Sequence, residues 1–146
     1  MGIELLERAA EVSGCFLKAE RLLDAAADDN PSRGPGYLLT FDVGRILVLA
    51  DRTNGCLQLR QVENLDEVAS IRLAPLDEEE PWWRLAGNPI IRAWPCHEGS
   101  GAAVSGGEVA DIRMQFRPEG QDPRFVSLRY EAGAVHVSLH DQPASP

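Results

Sequence analysis

No stretch of the 146-residue chain approaches the roughly 18 to 20 consecutive apolar residues a helix needs to cross a bilayer. The opening MGIELLERAAEV is acidic and amphipathic and has no signal-peptide character, so a cytoplasmic protein without membrane contact is expected. Cysteine is scarce: Cys15, Cys56 and Cys96 are odd in number and widely spaced, which argues against a disulfide framework or a CxxC zinc site and for free thiols. A cationic surplus is also missing. With 14 Lys and Arg against 23 Asp and Glu, the net charge is -9, which disfavours nucleic acid and anionic lipid as partners.

Signatures of chemistry are equally sparse. The glycine-rich CHEGSGAAVSGG over residues 96–107 reads as a mobile loop; it has no Lys or Arg after Gly99, and so no phosphate-binding GxxxxGK[ST]. Ser100 and Ser105 stand outside a GxSxG elbow, because residue 98 is Glu and residue 103 is Ala. His136 and His140 fall in an alternating strand, where four residues span roughly 13 Å and cannot share one ion. Cys96-His97-Glu98 sets three ligand types in a row, but adjacent residues seldom converge on a metal. Neither a metal nor a cofactor is expected. Asp42 and Asp51, at strand ends, form a catalytic pair only if the fold brings them together.

What is present suits one globular domain over residues 1–146, with 141–146 as a fraying tail. All three tryptophans lie in residues 81–94, PWWRLAGNPIIRAW. Acids before Pro81 signal a short helix through Trp82, Trp83 and Leu85, stopped at Gly87. A strand follows, with Ile90, Arg92 and Trp94 on one face and Ile91 and Ala93 on the other. The tryptophans mark either a binding surface or a core corner, and core is expected of large aromatics.

Elsewhere, residues 3–12 carry a helical apolar stripe that ends at Ser13-Gly14. Composition over residues 15–27 favours helix. Residues 28–36, DDNPSRGPG, read as loop. Residues 37–42 and 45–50 read as strands, and Asn54-Gly55 is a type I′ hairpin signal with 56–62 returning. A short strand is expected over 70–74. Residues 108–116 alternate, placing Ile112, Met114 and Phe116 inward and Asp111, Arg113 and Gln115 outward. Residues 125–130 and 134–139 form a last hairpin around Ala132-Gly133.

Phe41-Asp42-x-Gly44, together with Trp83-Arg-Leu-Ala-Gly87-x-x-Ile90-x-x-x-Trp94, resembles small uncharacterised bacterial domains. The resemblance covers most of the chain and implies a strand after the first helix, over about residues 15–25. It carries no established activity. The expected fold is α+β: a mostly antiparallel meander of about six or seven strands with a short N-terminal helix and a short central helix.

Residues 61–80 hold seven acids against Arg72, ending in Asp77, Glu78, Glu79 and Glu80. Such a run is either a solvated face or a docking site for a basic protein. The expected function is a nonenzymatic acidic binding or inhibitory protein of the toxin-immunity kind, docking through Asp77 to Glu80. The alternative is a small-molecule binder or small enzyme with a pocket at Trp94, His97, Asp111 and the 97–107 loop. A core Trp94 predicts that Trp94→Ala costs about 3 to 5 kcal/mol in denaturant unfolding, and a loss under about 1 kcal/mol would place the ring at the surface.

Overall fold

The computed structural model describes residues 3–23, 33–53, 55–64, 66, 70–76, 79, 82–95, 111–116 and 124–140, without the side chains of 84, 124, 139 and 140. Helix α1 (Glu4–Glu11) comes first, then β1 (Phe16–Leu23), β2 (Arg33–Gly34), β3 (Gly36–Phe41), β4 (Gly44–Asp51), β5 (Cys56–Val62) and β6 (Arg72–Pro75). A single helical turn α2 (Trp82–Leu85) precedes β7 (Ile90–Pro95), β8 (Asp111–Phe116), β9 (Arg124–Glu131) and β10 (Ala134–His140). The strands form two antiparallel sheets, β5-β4-β3-β1-β6 and β2-β10-β9-β8-β7. The α+β class and antiparallel pairing hold, but in place of the expected single meander of six or seven strands the described residues form ten strands in two sheets. The expected central helix shrinks to one turn.

One apolar cluster joins the sheets: Tyr37, Leu39 and Val48 from the first meet Ile112, Met114, Leu128 and Val137 from the second. Helix α1 adds Leu5, Leu6 and Ala9, the buried side of its stripe. Its end is closed by Ser13 at φ 52, with Ser13 N–H donating to the Ala10 carbonyl and Gly14 N–H to the Ala9 carbonyl. These two bonds occupy carbonyls that a helix terminus otherwise leaves open. Strand β3 is buried along its whole length, because Leu38 enters a second cluster with Leu22, Leu47 and Val62 on the far side of the first sheet. Among the described residues, no helix is long and apolar enough to cross a membrane.

The strand expected after the first helix is present over residues 16–23, paired with β3 and β6, so inter-strand bonding overrides the helix propensity of its composition. Two local expectations change for physical reasons. Within the expected loop over 28–36, Arg33–Gly34 adds to β10 as a two-residue strand. It is held there by Arg21, whose Nη1 donates to the Arg33 carbonyl at 3.3 Å across the sheets. The β4–β5 hairpin closes at the pair Asp51 and Cys56, with four residues between them rather than two. Asp51 Oδ1 accepts the Thr53 N–H at 3.1 Å and starts the turn early, while Gly55 supplies the positive φ of 67. Asn54 lies outside the described residues.

The last hairpin forms as expected, with Tyr130, Leu128 and Val126 opposite Val135, Val137 and Leu139. Its turn residues Ala132 and Gly133 both have positive φ, at 53 and 81. A left-handed alanine is strained where asparagine is tolerated. Ala132→Asn should therefore raise stability by about 0.5 to 1 kcal/mol, read as a higher urea midpoint, whereas Ala132→Val should lower it.

Candidate functional site

Alternation along β8 sends Ile112, Met114 and Phe116 into the core and Asp111, Arg113 and Gln115 to the opposite face, as their spacing implies. That face of an antiparallel sheet ordinarily meets water. Here Asp111 and Arg113 are instead buried, along with Ser127, Phe125 and Trp94. The expectation that Asp111 and Arg113 point into solvent is corrected on that ground.

Register arranges this outer face in rows. Arg33, His136, Arg129 and Asp111 are successive cross-strand partners from β2 to β8. The next row runs Ser138, Ser127, Arg113 and Trp94. A third sets Phe125 beside Gln115 and Arg92. Neighbouring strands stand about 4.8 Å apart, so each row is a continuous strip of side chains.

Electrostatics orders the strip. Asp111 lies between two guanidiniums, with Arg113 Nε 3.7 Å from Oδ1 and Arg129 Nε 3.9 Å from Oδ2. Arg129 also reaches Glu131 at 3.9 Å and is half-exposed. Arg92 lies over the Trp94 ring at 4.7 Å, a cation–π contact, and Phe125 meets the same ring edge-on. The Trp94 Nε1–H is buried and, among the described residues, has no hydrogen-bond partner. His136 is half-buried in the first row. Arg33, Arg92, Arg113, Arg129 and His136 thus share one face, and among the described residues Asp111 and Glu131 are the only carboxylates on it, in a chain of net charge -9.

The tryptophans separate. Trp82 is buried in the core, Trp83 is half-exposed, and Trp94 is buried on the outer face rather than in the central cluster. Ile90 and Trp94 do not share a face, because the β7–β8 register shifts between Ile90 and Arg92. The extra residue of a bulge reverses the phase of alternation, so Ile90 enters the core while Arg92 and Trp94 turn outward.

Of the residues singled out from sequence, Trp94 and Asp111 take the same outer face on adjacent strands, Trp94 as the cross-strand partner of Arg113 and Asp111 two residues before it. His97 and the 97–107 loop lie outside the described residues, as do Cys96, Asp77, Glu78 and Glu80; Glu79 is exposed. Asp42 precedes β4 and Asp51 is its last residue, and their carboxylates accept from Cys15 N–H and Thr53 N–H respectively, so they form no pair. Cys56 is buried and Cys15 half-buried, and among the described residues neither forms a disulfide. Among the described residues no three His, Cys, Asp or Glu cluster. Arg92, Arg113, Ser127 and Arg129 were not singled out from sequence. The signal for them is the register of the 125–139 hairpin against β8, which needs the strand order.

Compared with protein-family models, curated proteins and solved structures, the chain matches none of them.

The Arg113 and Asp111 side chains are 4% and 10% exposed, so removing one partner leaves a buried charge. Arg113→Met should destabilise by about 3 to 5 kcal/mol, and adding Asp111→Leu should recover much of that loss; chemical unfolding of both variants checks the order.

Proposed function

We propose that the protein is a binding protein that takes a small ligand bearing a carboxylate or phosphate on the outer face of its second sheet. The observation that carries this reading is the row of Arg33, His136 and Arg129 leading to the buried Arg113 beside the Trp94 indole N–H. Arg33 and Arg129, two strand spacings apart with His136 between them, each offer a planar pair of N–H donors, the geometry that carboxylate and phosphate oxygens accept. Trp94 and Phe125 supply an apolar flank, which suits a ligand whose anionic group sits on a flat ring. For docking of a basic partner on Asp77 to Glu80, the described residues offer one observation, that Glu79 is exposed.

Titration of labelled protein with inorganic phosphate, benzoate and neutral benzamide tests the reading by amide shifts. The anions should move the amides of Arg33, Arg129 and His136 saturably, and benzamide should not. Arg129→Gln should weaken benzoate binding about tenfold or more, the loss of one charge-assisted hydrogen bond. If no amide of that row responds to either anion, or Arg129→Gln binds as the wild type does, the site is not there.

A further inference from the structure

The hydrogen-bond phase of the first sheet shows what its outer strand leaves open. Asp42 and Val43 join β3 to β4, and Phe41 pairs with Gly44. Residues flanking a two-residue hairpin loop form a hydrogen-bonded pair, and bonded and nonbonded pairs then alternate along the ladder. Gly44, Ile46, Val48 and Ala50 therefore bond to the β3 side, and Ala50 N–H donates to the Pro35 carbonyl at 3.1 Å in the same phase. This leaves Arg45, Leu47, Leu49 and Asp51 to bond Val62, Arg60, Gln58 and Cys56 of β5. The N–H and C=O groups of Leu57, Leu59 and Gln61 consequently point away from β4, along the rim of the sheet. Among the described residues no hydrogen bond reaches them.

The other sheet edges are short or covered. Strand β2 has two residues, β6 has four and ends in Pro75, and β7 lies against α1 with its Ile90 N–H given to the Gly14 carbonyl. By contrast β5 has seven residues, pairs with β4 at every one, and contains neither a proline nor a bulge. Folded proteins ordinarily blunt an edge of this length.

An antiparallel second copy fits this edge in one register. With Leu59 opposite Leu59 of the second copy, Leu57 faces Gln61 and Gln61 faces Leu57. These three pairs exchange two bonds each, so every outward N–H and C=O of both copies is satisfied. Gln58 then faces Arg60, an amide oxygen for a guanidinium, and Cys56 faces Val62. Other registers lose bonds or oppose charges. Centring the pair on Gln58 sets Gln61 against Gly55, whose N–H is already given to the Asp51 carbonyl. Centring it on Arg60 sets two guanidiniums directly opposite each other. A slip of one residue turns core-facing side chains to the wrong side of the sheet.

We infer that two copies of the chain associate through β5, about a two-fold axis at Leu59, joining their five-stranded sheets into one continuous antiparallel sheet. The surface is separate from the anion row, which lies on the second sheet. The association is weak, because one strand edge buries less than a standard interface and each copy carries a net charge of -9.

Sedimentation equilibrium and amide exchange between about 10 µM and 1 mM protein test the assignment. A monomer–dimer equilibrium is expected, with a dissociation constant on the order of 100 µM that falls between about 0.05 and 0.5 M salt as repulsion between the copies is screened. Exchange at Leu57, Leu59 and Gln61 should slow at the higher protein concentration, while Gln58 and Arg60, already bonded to β4, change little. Gln58→Glu sets a carboxylate opposite Arg60 twice in each dimer and should tighten association about fivefold, whereas Gln58→Arg should weaken it about fivefold or more. Gln61→Pro removes an outward N–H without taking one from β4, and should weaken association about tenfold or more. Gln58 is exposed, so opposite responses at that one position separate the register from any loss of folding. Equal dissociation constants for the two Gln58 variants, or slowed exchange at a different edge, would overturn the assignment. So would a chain that stays monomeric at 1 mM, including one whose Leu57, Leu59 and Gln61 amides slow only when an unrelated Val-Thr strand peptide is added.

Discussion

The ring of Phe16 is where the two sheets become one structure. Fully buried, it meets Phe41 of the first sheet, Phe116 of the second and Trp82 of the helical turn, with centroids 5.6 to 5.7 Å away. Its backbone is tied as firmly, since its N–H donates to the Asn88 carbonyl and its carbonyl accepts the Gly87 N–H. The residues just before it repeat the pattern: Ile90 N–H donates to the Gly14 carbonyl, and Cys15 bridges to Pro89. Apolar contact and backbone bonding therefore converge where β1 leaves one sheet and β7 enters the other. Aromatic contacts of this kind contribute about 0.5 to 1.5 kcal/mol each beyond the burial itself. The proposed anion site depends on this junction, which fixes the start of β7 from which Arg92 and Trp94 turn outward.

The two sheets spend their second faces differently. The first covers its far side with Leu22, Leu38, Leu47 and Val62, an apolar cluster that asks nothing of a ligand. The second carries charge on its far side, and burying charge is unfavourable unless partners satisfy it. Arg33, Arg92, Arg113 and Arg129 on this face are four of the chain's 14 basic residues. A strongly acidic protein thus gathers four of its arginines on one sheet face. Anions approach such a surface against the net field, so recognition there rests on contact geometry more than on long-range attraction.

Alternation made most strands legible, including the side of the sheet each β8 residue takes. It could not show whether that side is wet, because period-2 spacing assigns a face and says nothing about what covers it. Trp94 and Asp111 were found as candidates, whereas Arg113 and Arg129 became visible only once β8 was seen beside β9. The bulge after Ile90 was hidden because one inserted residue changes the phase without changing the composition. Arg33–Gly34 escaped for another reason. Two residues of strand among prolines and glycines carry no period at all, and their conformation is imposed by β10 and Arg21. The short helix after Pro81 was signalled by its flanks, but four residues give too few internal bonds to propagate it further.

The position of Arg33–Gly34 has a consequence for assembly. Apart from these two residues, the second sheet is built wholly from the later part of the chain, and its last strand in sequence, β10, is covered by a segment made long before it. Until that segment docks, the β10 backbone is an open edge, the kind of row onto which another molecule's strand can add. Closing it requires contacts between residues about a hundred positions apart, which form late because long loops must first be ordered. Arg21, reaching from the first sheet to the Arg33 carbonyl, thereby acts as a latch against aggregation, holding shut an edge whose exposure would matter most in a chain still folding.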